Sequence, residues 1–394
     1  VIDRKGRRRD IHLKGSGRTP FSRGGDGKAV LGPVLREYLF GEAMHALGIP
    51  TTRALAAILT GEAVQRQTGP EPGAVLARVA ASHLRVGTFQ FFAARGEVEK
   101  VRQLADYAIN RHFPEIAARD DKYLELFRRV RDAQAALVAQ WVHVGFVHGV
   151  MNTDNTTISG ETIDYGPCAF IDAYDPKAVF SSIDEYGRYA FGNQPPIMQW
   201  NLSRFAETLV DLVNPEDSED AVRQLTNEIN AFPSHYQALW LNGMRAKLGL
   251  FKVLPGDLDL ANDLLAAAEA QGVDYTGLFR AMGVFVRGNV TPVRALFADP
   301  APFDVWMDRY LRRMRDETIP ETARADAMDR VNPIYIPRNH LVDAALSAAV
   351  AGDMAPFDRL LALVSAPFTE QADAEEYARP APESFGKFTT YCGT

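Results

Sequence analysis

Apolar and polar positions follow two rhythms along this chain, first the period of a strand and then the period of a helix. Residues 1 to about 95 predict a mixed α/β region in which a helix follows a short first strand. The strand-like runs lie at residues 10–14, 53–60 and 74–80, and the helical run covers residues 33–47. Gly48 and Pro50 end this helix, because neither residue favours its continuation.

Beyond about residue 96 the apolar residues recur every three or four positions, which predicts a largely helical body. One long amphipathic run, residues 124–144, leads directly into an irregular segment. Further helical runs lie at residues 201–212, 218–232, 236–248, 258–271, 275–285, 291–297, 303–316, 322–330 and 340–351, before an extended tail at 379–394. We therefore expect an α+β protein of three units, residues 1–95, 96–250 and 251–394.

Charge and composition argue against several classes of protein. The formal net charge of −7 argues against general nucleic-acid binding, because phosphate neutralisation needs a basic face. No run reaches the roughly 20 apolar residues that span a bilayer, and no apolar signal segment opens the chain. Two cysteines are too few for a secreted disulfide framework. We expect a cytoplasmic protein with no nucleic-acid or membrane partner.

The segment HGVMNTDN at residues 148–155, followed by DYGP at 164–167, has the spacing of the metal-binding residues of a protein kinase. In a kinase the catalytic base is the second residue after the histidine, and an asparagine follows that base by five residues. Here the base position is Val150, which cannot accept a proton. The pattern indicates a nucleotide-handling enzyme that does not perform ordinary phosphoryl transfer.

Four side chains of this region are candidates for chemistry. Asn155 and Asp164 offer oxygen ligands that suit Mg²⁺ or Mn²⁺ held jointly with phosphates. Asp154 is placed to act as a base or as a further ligand. His148 is expected to pack the loop rather than to act in catalysis.

The first unit supplies charged side chains suited to phosphates. Lys14 ends the first predicted strand and Glu37 lies on the following helix, which is the order of the lysine–glutamate pair in kinases. Arg78 and Arg85 lie in an otherwise apolar segment, and guanidinium groups bind phosphate oxygens bidentately. We expect these residues to bind a nucleotide; the alternative is that they are ordinary surface charges.

A glycine-rich loop and two cysteines complete the candidates. Within residues 15–28, Asp26 and Gly27 could bring backbone N–H groups to a phosphate, although the loop has no recognised phosphate-binding pattern. Cys168 directly follows the DYGP segment, and Cys392 is the third residue from the C-terminus. They are either two idle thiols or a reversible disulfide that ties the tail to the active-site segment.

Longer stretches of the sequence resemble the selenoprotein O (SelO) family, kinase-like proteins that transfer AMP to other proteins. The matching stretches, in order along the chain, are residues 13–23, 25–30, 36–37, 42–54, 78–80, 84–85, 148–155, 162–167 and 391–394. The resemblance implies a protein-kinase-like two-lobed fold with a helical C-terminal extension. It also implies a nucleotide loop before Val1, so we expect the natural protein to start upstream.

The resemblance further implies that ATP binds in reverse, with its α-phosphate facing the incoming hydroxyl. The products would be an adenylylated Ser, Thr or Tyr of a protein and pyrophosphate; UMP transfer from UTP is a further expectation. The implied roles are an ion pair for Lys14 and Glu37, nucleotide contacts for Asp26, Gly27 and Asp164, phosphate contacts for Arg78 and Arg85, catalysis for Asp154, and metal binding for Asn155 and Asp164. The alternatives are a conventional kinase and a silent pseudokinase that binds nucleotide.

Overall fold

The computed structural model of the protein describes residues 1–20, 22, 24–66 and 69–391. The strands are β1 Asp10–Lys14, β2 Ala29–Val30, β3 Arg53–Arg66, β4 Gly69–Ala80, β5 Phe146–Val147 and β6 Ala169–Phe170. The helices are α1 Leu31–Ala46, α2 Val86–Ala93, α3 Val98–His112, α4 Lys122–Val144, α5 Gln194–Val213, α6 Ser218–Lys247, α7 Asp257–Gln271, α8 Tyr275–Val286, α9 Thr291–Arg294, α10 Ala301–Met314, α11 Glu321–Asp329, α12 Asn339–Val350, α13 Ala355–Val364 and α14 Glu375–Ala378. The predicted α+β class is confirmed.

A four-stranded antiparallel sheet forms the first part of the fold. β4 is its central strand: β3 pairs with one edge, and β1 and β2 pair in succession with the other. In this register Lys14 lies opposite Leu76, and His12 lies opposite Arg78. Directly opposed residues share a face, so Lys14 and Arg78 point to the same side of the sheet as the buried Leu76. That is the side on which α1 packs.

The helical body is arranged around α4, against which α5 and α6 pack. Phe127 of α4 stacks on Phe205 of α5 in the main core. Helices α12 and α13 return to pack on α1, so the end of the chain shares a core with its first helix. Helices α7 to α11 surround a second core. The domain limits at residues 95 and 250 stay a prediction.

The prediction of two helices at residues 218–232 and 236–248 was wrong, because α6 runs unbroken through Pro233. A proline inside a helix has no N–H for the carbonyl four residues earlier, here that of Ile229. The side-chain amide of Gln199 on α5 donates to this carbonyl at 3.1 Å. The neighbouring helix thus supplies the missing donor, and α6 continues.

The observed strands and helices also differ from the predicted ones in their length and number. β3 and β4 continue beyond the predicted strand-like runs to form a long hairpin, and α2 is a helix where no helical run was predicted. None of the helices among the described residues combines the length and the apolar character that a membrane span requires.

Candidate active site

Five charged side chains from five separate segments meet beneath the sheet. Lys14 Nζ of β1 lies 2.7 Å from Glu37 Oε2 of α1 and 2.9 Å from Asp164 Oδ1. The Arg78 guanidinium of β4 lies 2.6 Å from Glu37 Oε1 and also bonds Asp164 Oδ1. Arg85 Nη1, just before α2, lies 3.2 Å from Asp164 Oδ2. We call these five residues the charge cluster.

The members of the cluster differ in exposure. The Arg78 and Glu37 side chains are buried, at 1% and 5% exposure. Lys14, Arg85 and Asp164 keep about a fifth of their side-chain surface in contact with solvent. The cluster therefore has an inner pair, fixed by packing, and an outer set of three that a ligand can reach.

Burial and the neighbouring opposite charges shift the pKa values of the cluster in opposite directions, and the effect of the charges is the larger. Burial would raise the pKa of Asp164, but the positive charges of Arg78, Lys14 and Arg85 hold it well below its usual value. Burial likewise opposes ionisation of Glu37, yet Arg78 and Lys14 lower its pKa. The carboxylates in turn raise the pKa of Lys14 and of Arg78 against the effect of burial. These four groups are charged at neutral pH.

Asp164 has a backbone φ of 62°, in the left-handed region that residues other than glycine seldom adopt. The surrounding structure holds this conformation. The buried His148 ring donates from Nε2 to the carbonyl of Ile163 at 2.9 Å. Because burial lowers the pKa of His148, the ring is neutral and serves as a structural link between the two halves of the site. This is the packing role expected for His148.

The segment after Asp164 is attached to α1 and to the turn that follows it. Arg36 Nε donates to the carbonyl of Gly166 at 2.9 Å, and its Nη2 donates to the carbonyl of Cys168. The Tyr165 hydroxyl bonds the Thr51 hydroxyl. Arg36 and Glu37 are adjacent, so one turn of α1 orients both the post-Asp164 segment and Lys14.

The loop before Asp164 brings an amide and a carboxylate to the cluster. Asn155 Nδ2 donates to the carbonyl of Val150 at 2.9 Å, so Oδ1 is the atom of this amide that could bind a metal ion. Arg85 Nη1 donates to the carbonyl of Asp154 at 2.9 Å, so one guanidinium joins both segments. Val150 itself is buried, and the kinase base position is apolar in the fold as in the sequence.

The Asp154 carboxylate packs against the first turn of α2. A Cβ built on Gly87, the second residue of that helix, would lie 2.1 Å from Asp154 Oδ1. Any residue larger than glycine at this position would displace the carboxylate. Gly87 therefore fixes where the Asp154 side chain can lie.

Asp26 and Gly27 lie in the loop between β1 and β2, and Asp26 bonds both within this loop and to the end of β3. Asp26 Oδ1 accepts from the backbone N–H of Lys28 at 2.9 Å, and Oδ2 accepts from Arg66 at 3.0 Å. Gly27 has a φ of 68°, and a Cβ there would overlap the carbonyl of Gly17. The charge cluster thus contains five of the predicted residues, while the nucleotide contacts of Asp26 and Gly27 stay a prediction.

Cys168 is buried, and burial raises the pKa of its thiol to about 12. The tail reaches this region: Thr390 Oγ1 donates to the carbonyl of Pro167 at 2.7 Å, and Thr390 forms a parallel bridge with Ser181. Cys392 lies outside the described residues, so the predicted pairing with Cys168 stays a prediction.

With this geometry established, comparison with known proteins identifies the family. The family model described as "Protein adenylyltransferase SelO" matches residues 1–365. The chain belongs to the SelO family. It is 58% identical over 395 residues to a Cereibacter sphaeroides (strain KD131 / KCTC 12085) protein named protein nucleotidyltransferase YdiU, covering 100% of this chain and 80% of that protein. Proteins of the same name from Mycolicibacterium paratuberculosis and Rhodopseudomonas palustris (strain HaA2) are 57% and 55% identical over 404 and 397 residues, and cover 100% of this chain and 79% and 80% of the relatives.

Family membership makes this SelO protein a nucleotidyltransferase, an enzyme whose substrate is a nucleotide, as the sequence resemblance implies. Three residues that orient the site had no predicted role. Arg36 donates to two backbone carbonyls, Gly87 leaves room for the Asp154 carboxylate, and Gln194 accepts from the backbone N–H of His148 at 3.0 Å. Of these, only Arg36 carried a signal in the sequence, as a charge next to Glu37 on an otherwise apolar helix face.

Proposed function

We propose that this protein transfers AMP from ATP to Ser, Thr or Tyr hydroxyls of other proteins, with release of pyrophosphate. The observation that carries the proposal is the convergence of Lys14, Arg78 and Arg85 on Asp164, beside a loop whose kinase base position is the buried Val150. The site can bind a polyphosphate but lacks the proton acceptor of γ-phosphoryl transfer. The family description as a protein adenylyltransferase supports the same activity.

The reaction forms a bond between the substrate oxygen and the α-phosphorus and breaks the bond from that phosphorus to the pyrophosphate oxygen. Asp154 accepts the hydroxyl proton, because its carboxylate lies at the first turn of α2 and its backbone carbonyl is bonded by Arg85 of the charge cluster. Lys14 and Arg85 stabilise the negative charge that develops on the pyrophosphate. Both side chains are partly exposed and can reach a bound phosphate.

The donor set fits a divalent metal ion. Asn155 Oδ1 and the Asp164 carboxylate are the hard oxygen ligands that Mg²⁺ and Mn²⁺ prefer, and we propose that these two residues hold the ion. A bound ion would neutralise phosphate charge and orient the triphosphate. Phosphate oxygens that take over the bonds of Lys14 and Arg85 would release Asp164 for this role.

The test compares ATP labelled at the α-phosphate with ATP labelled at the γ-phosphate, in the presence of Mg²⁺ or Mn²⁺ and candidate protein acceptors. We expect label on protein only from the α-phosphate, and none from the Asp164→Ala variant. Label from the γ-phosphate would establish a conventional kinase, and nucleotide binding without transfer would establish a silent pseudokinase. α-Labelled UTP in a parallel reaction measures UMP transfer.

We also propose that Cys168 and Cys392 form a reversible disulfide. The hydrogen bond between Thr390 and Pro167 supports this pairing, because it holds the tail beside the residue that precedes Cys168. The thiolate of Cys168 is disfavoured by burial, so oxidation is expected to be slow until the segment opens. Mass spectrometry after oxidant treatment tests the pairing, and two thiols that stay open to alkylation in the unfolded state would exclude it.

A further inference from the structure

A cavity of about 370 Å³ lies among the ends of three helices on a part of the surface to which the charge cluster contributes no residue. Its walls come from the turn after α1, the last turns of α4 and α6, and the segment after α11. The residues used below are Leu47, Ile49, Gln140, His143, Lys247 and Arg330. Its volume lies within the range of small-molecule sites in proteins.

Lys247 is the unusual member of this lining. Lys247 is 3% exposed, and its Nζ lies 4.2 Å from the ring centre of Phe279 and 5.5 Å from that of Tyr275. The described residues give it no carboxylate partner, whereas buried lysines are ordinarily paired. The aromatic rings on one side offset only part of the cost of burying an ammonium group. Lys247 lines the cavity, and neither ring is among the described residues that do so.

The remaining polar groups of the cavity also favour an anion. Arg330 is an exposed residue of the lining, and no aspartate or glutamate is among the described residues that line the cavity. Gln140 Oε1 is buried without a hydrogen-bond partner, and rotation of this amide would present its NH₂ group instead. Leu47 and Ile49 provide an apolar wall. The lining therefore combines cations at one end with an aliphatic surface.

We propose that this cavity binds a monocarboxylate with an apolar chain, whose carboxylate pairs with Lys247 and Arg330 and whose chain lies along Leu47 and Ile49. A carboxylate supplies the charge that Lys247 lacks, and the chain covers the aliphatic wall. The turn at residues 46–49 and the helix ends hold the walls in place without the ligand.

Binding is coupled to protonation of one group. Burial lowers the pKa of Lys247 to about 7, and a carboxylate beside it raises that pKa again. Of the other titratable groups that face it, His143 is neutral because burial lowers its pKa to about 4, Tyr275 has its pKa raised well above 10 by burial, and Arg330 carries a fixed charge. Affinity is therefore expected to fall as pH rises from 7 to 9, and binding to take up protons.

The probe is octanoate, titrated calorimetrically into the full chain at pH 7, with octan-1-ol and acetate as controls for the charge and for the chain. We expect saturable octanoate binding that Lys247→Met weakens by about tenfold or more, because a bond to a charged group is lost. Arg330→Gln, an exposed change that spares the core, is expected to weaken it by several-fold. Lys252→Met is the matched control, since Lys252 is an exposed lysine five residues further on, and it should bind as the parent does.

Equal octanoate affinity in the parent, Lys247→Met and Arg330→Gln would overturn the proposal, as would the absence of saturable binding to the parent. Acetate or octan-1-ol binding as tightly as octanoate would overturn the proposed ligand class. If Lys247→Met fails to fold, the Arg330→Gln comparison and the fall in affinity between pH 7 and 9 still decide the question.

The cavity wall is linked by hydrogen bonds to the active-site segment. A further expectation, which rests on the proposed function, follows from this link. The carbonyl of Pro50, next to Ile49, accepts from both the backbone N–H and the hydroxyl of Thr162, two residues before Asp164. We therefore expect octanoate to change the rate of AMP transfer. Octanoate binding with an unchanged transfer rate would refute this coupling and leave the binding site intact, and absent transfer with intact binding would refute only the proposed function.

Discussion

Gly87→Ala tests whether the position of the Asp154 carboxylate governs catalysis. The new Cβ would lie 2.1 Å from Asp154 Oδ1, whereas ordinary contacts begin at 3.4 Å, so the oxygen must retreat by about 1.3 Å. The overlapping atom is at the end of a side chain and not in the backbone, so rotation of the Asp154 side chain can relieve the overlap without a change of fold. The substitution moves the carboxylate that we propose as the base and leaves its chemistry unaltered.

The expected loss in rate follows from this displacement. A misplacement of about 1 Å at a reacting group costs on the order of 10² in rate, or about 2.7 kcal/mol of activation free energy. Stability should respond in the opposite direction or very little, because alanine is favoured over glycine in a helix by about 0.5–1 kcal/mol. We expect an enzyme that unfolds at the parent's temperature or slightly above it and transfers AMP about a hundredfold more slowly.

The assay is the rate of α-label transfer at saturating ATP, together with the KM for ATP. The loss should appear in kcat, because the charge cluster, which we propose to bind the phosphates, is unchanged. Gly32→Ala is the matched control: Gly32 is the second residue of α1, as Gly87 is of α2, and among the described residues its Cβ would meet only Val350, at 3.8 Å. This control should keep the parent rate.

A double variant separates displacement of Asp154 from any other effect of the alanine. If Gly87→Ala acts only through Asp154, combining it with Asp154→Ala should be no slower than Asp154→Ala alone. Additive losses, or a folded Gly87→Ala enzyme with the parent rate, would refute the reasoning that the Asp154 carboxylate must lie where Gly87 admits it.

Three further outcomes are expected. Asp164→Asn keeps the size of the side chain but removes the charge that three cations share, and should lower label transfer by about 10²–10³ or more, so retained transfer would exclude the metal-site assignment. Arg36→Lys keeps the charge but cannot bond the carbonyls of both Gly166 and Cys168, so transfer should fall by about tenfold, with an unchanged rate showing that this attachment is dispensable. Folding lowers the pKa of Lys247 to about 7, so the unfolded chain binds more protons than the folded chain between pH 7 and about 10. The free energy of unfolding should therefore rise with pH, relative to that of Lys247→Met, by up to about 1.4 kcal/mol per pH unit. If urea titrations give the parent and Lys247→Met the same change in unfolding free energy with pH, Lys247 is not a buried titrating amine.

Part of the charge cluster could be predicted from the sequence, namely the residues whose order and spacing along the chain match those of protein kinases. Lys14 at the end of a strand and Glu37 on the next helix predict their pairing, and the spacing from His148 to Asn155 and Asp164 predicts the second segment. The burial of Arg78 could not be predicted, because alternation along a strand does not say which face is covered. The packing of α1 on that face of β4, where Arg78 bonds Glu37, is what buries Arg78.

Features that depend on residues distant in sequence were missed for the same reason. Helix α6 survives Pro233 through Gln199, which lies on another helix. Gly87 matters because of Asp154, 67 residues later, and nothing in the sequence around Gly87 signals this contact. Local pattern predicts which elements form, whereas these contacts follow from how the elements pack.

The division of the cluster into an inner pair and an outer set predicts that substitution of its two arginines has different effects, on stability for Arg78 and on activity for Arg85. Arg78 is 1% exposed and neutralises Glu37, so Arg78→Met leaves a buried carboxylate with only Lys14 beside it and should cost about 3–5 kcal/mol of unfolding free energy. Arg85 is partly exposed, so Arg85→Met should change stability by less than about 1 kcal/mol but lower AMP transfer by about 10²–10³, since it removes positive charge from the leaving pyrophosphate. Urea unfolding and label transfer, measured on both variants, separate these effects. Equal losses of stability would contradict the division, because they would mean that the outer arginine supports the fold as much as the inner one does.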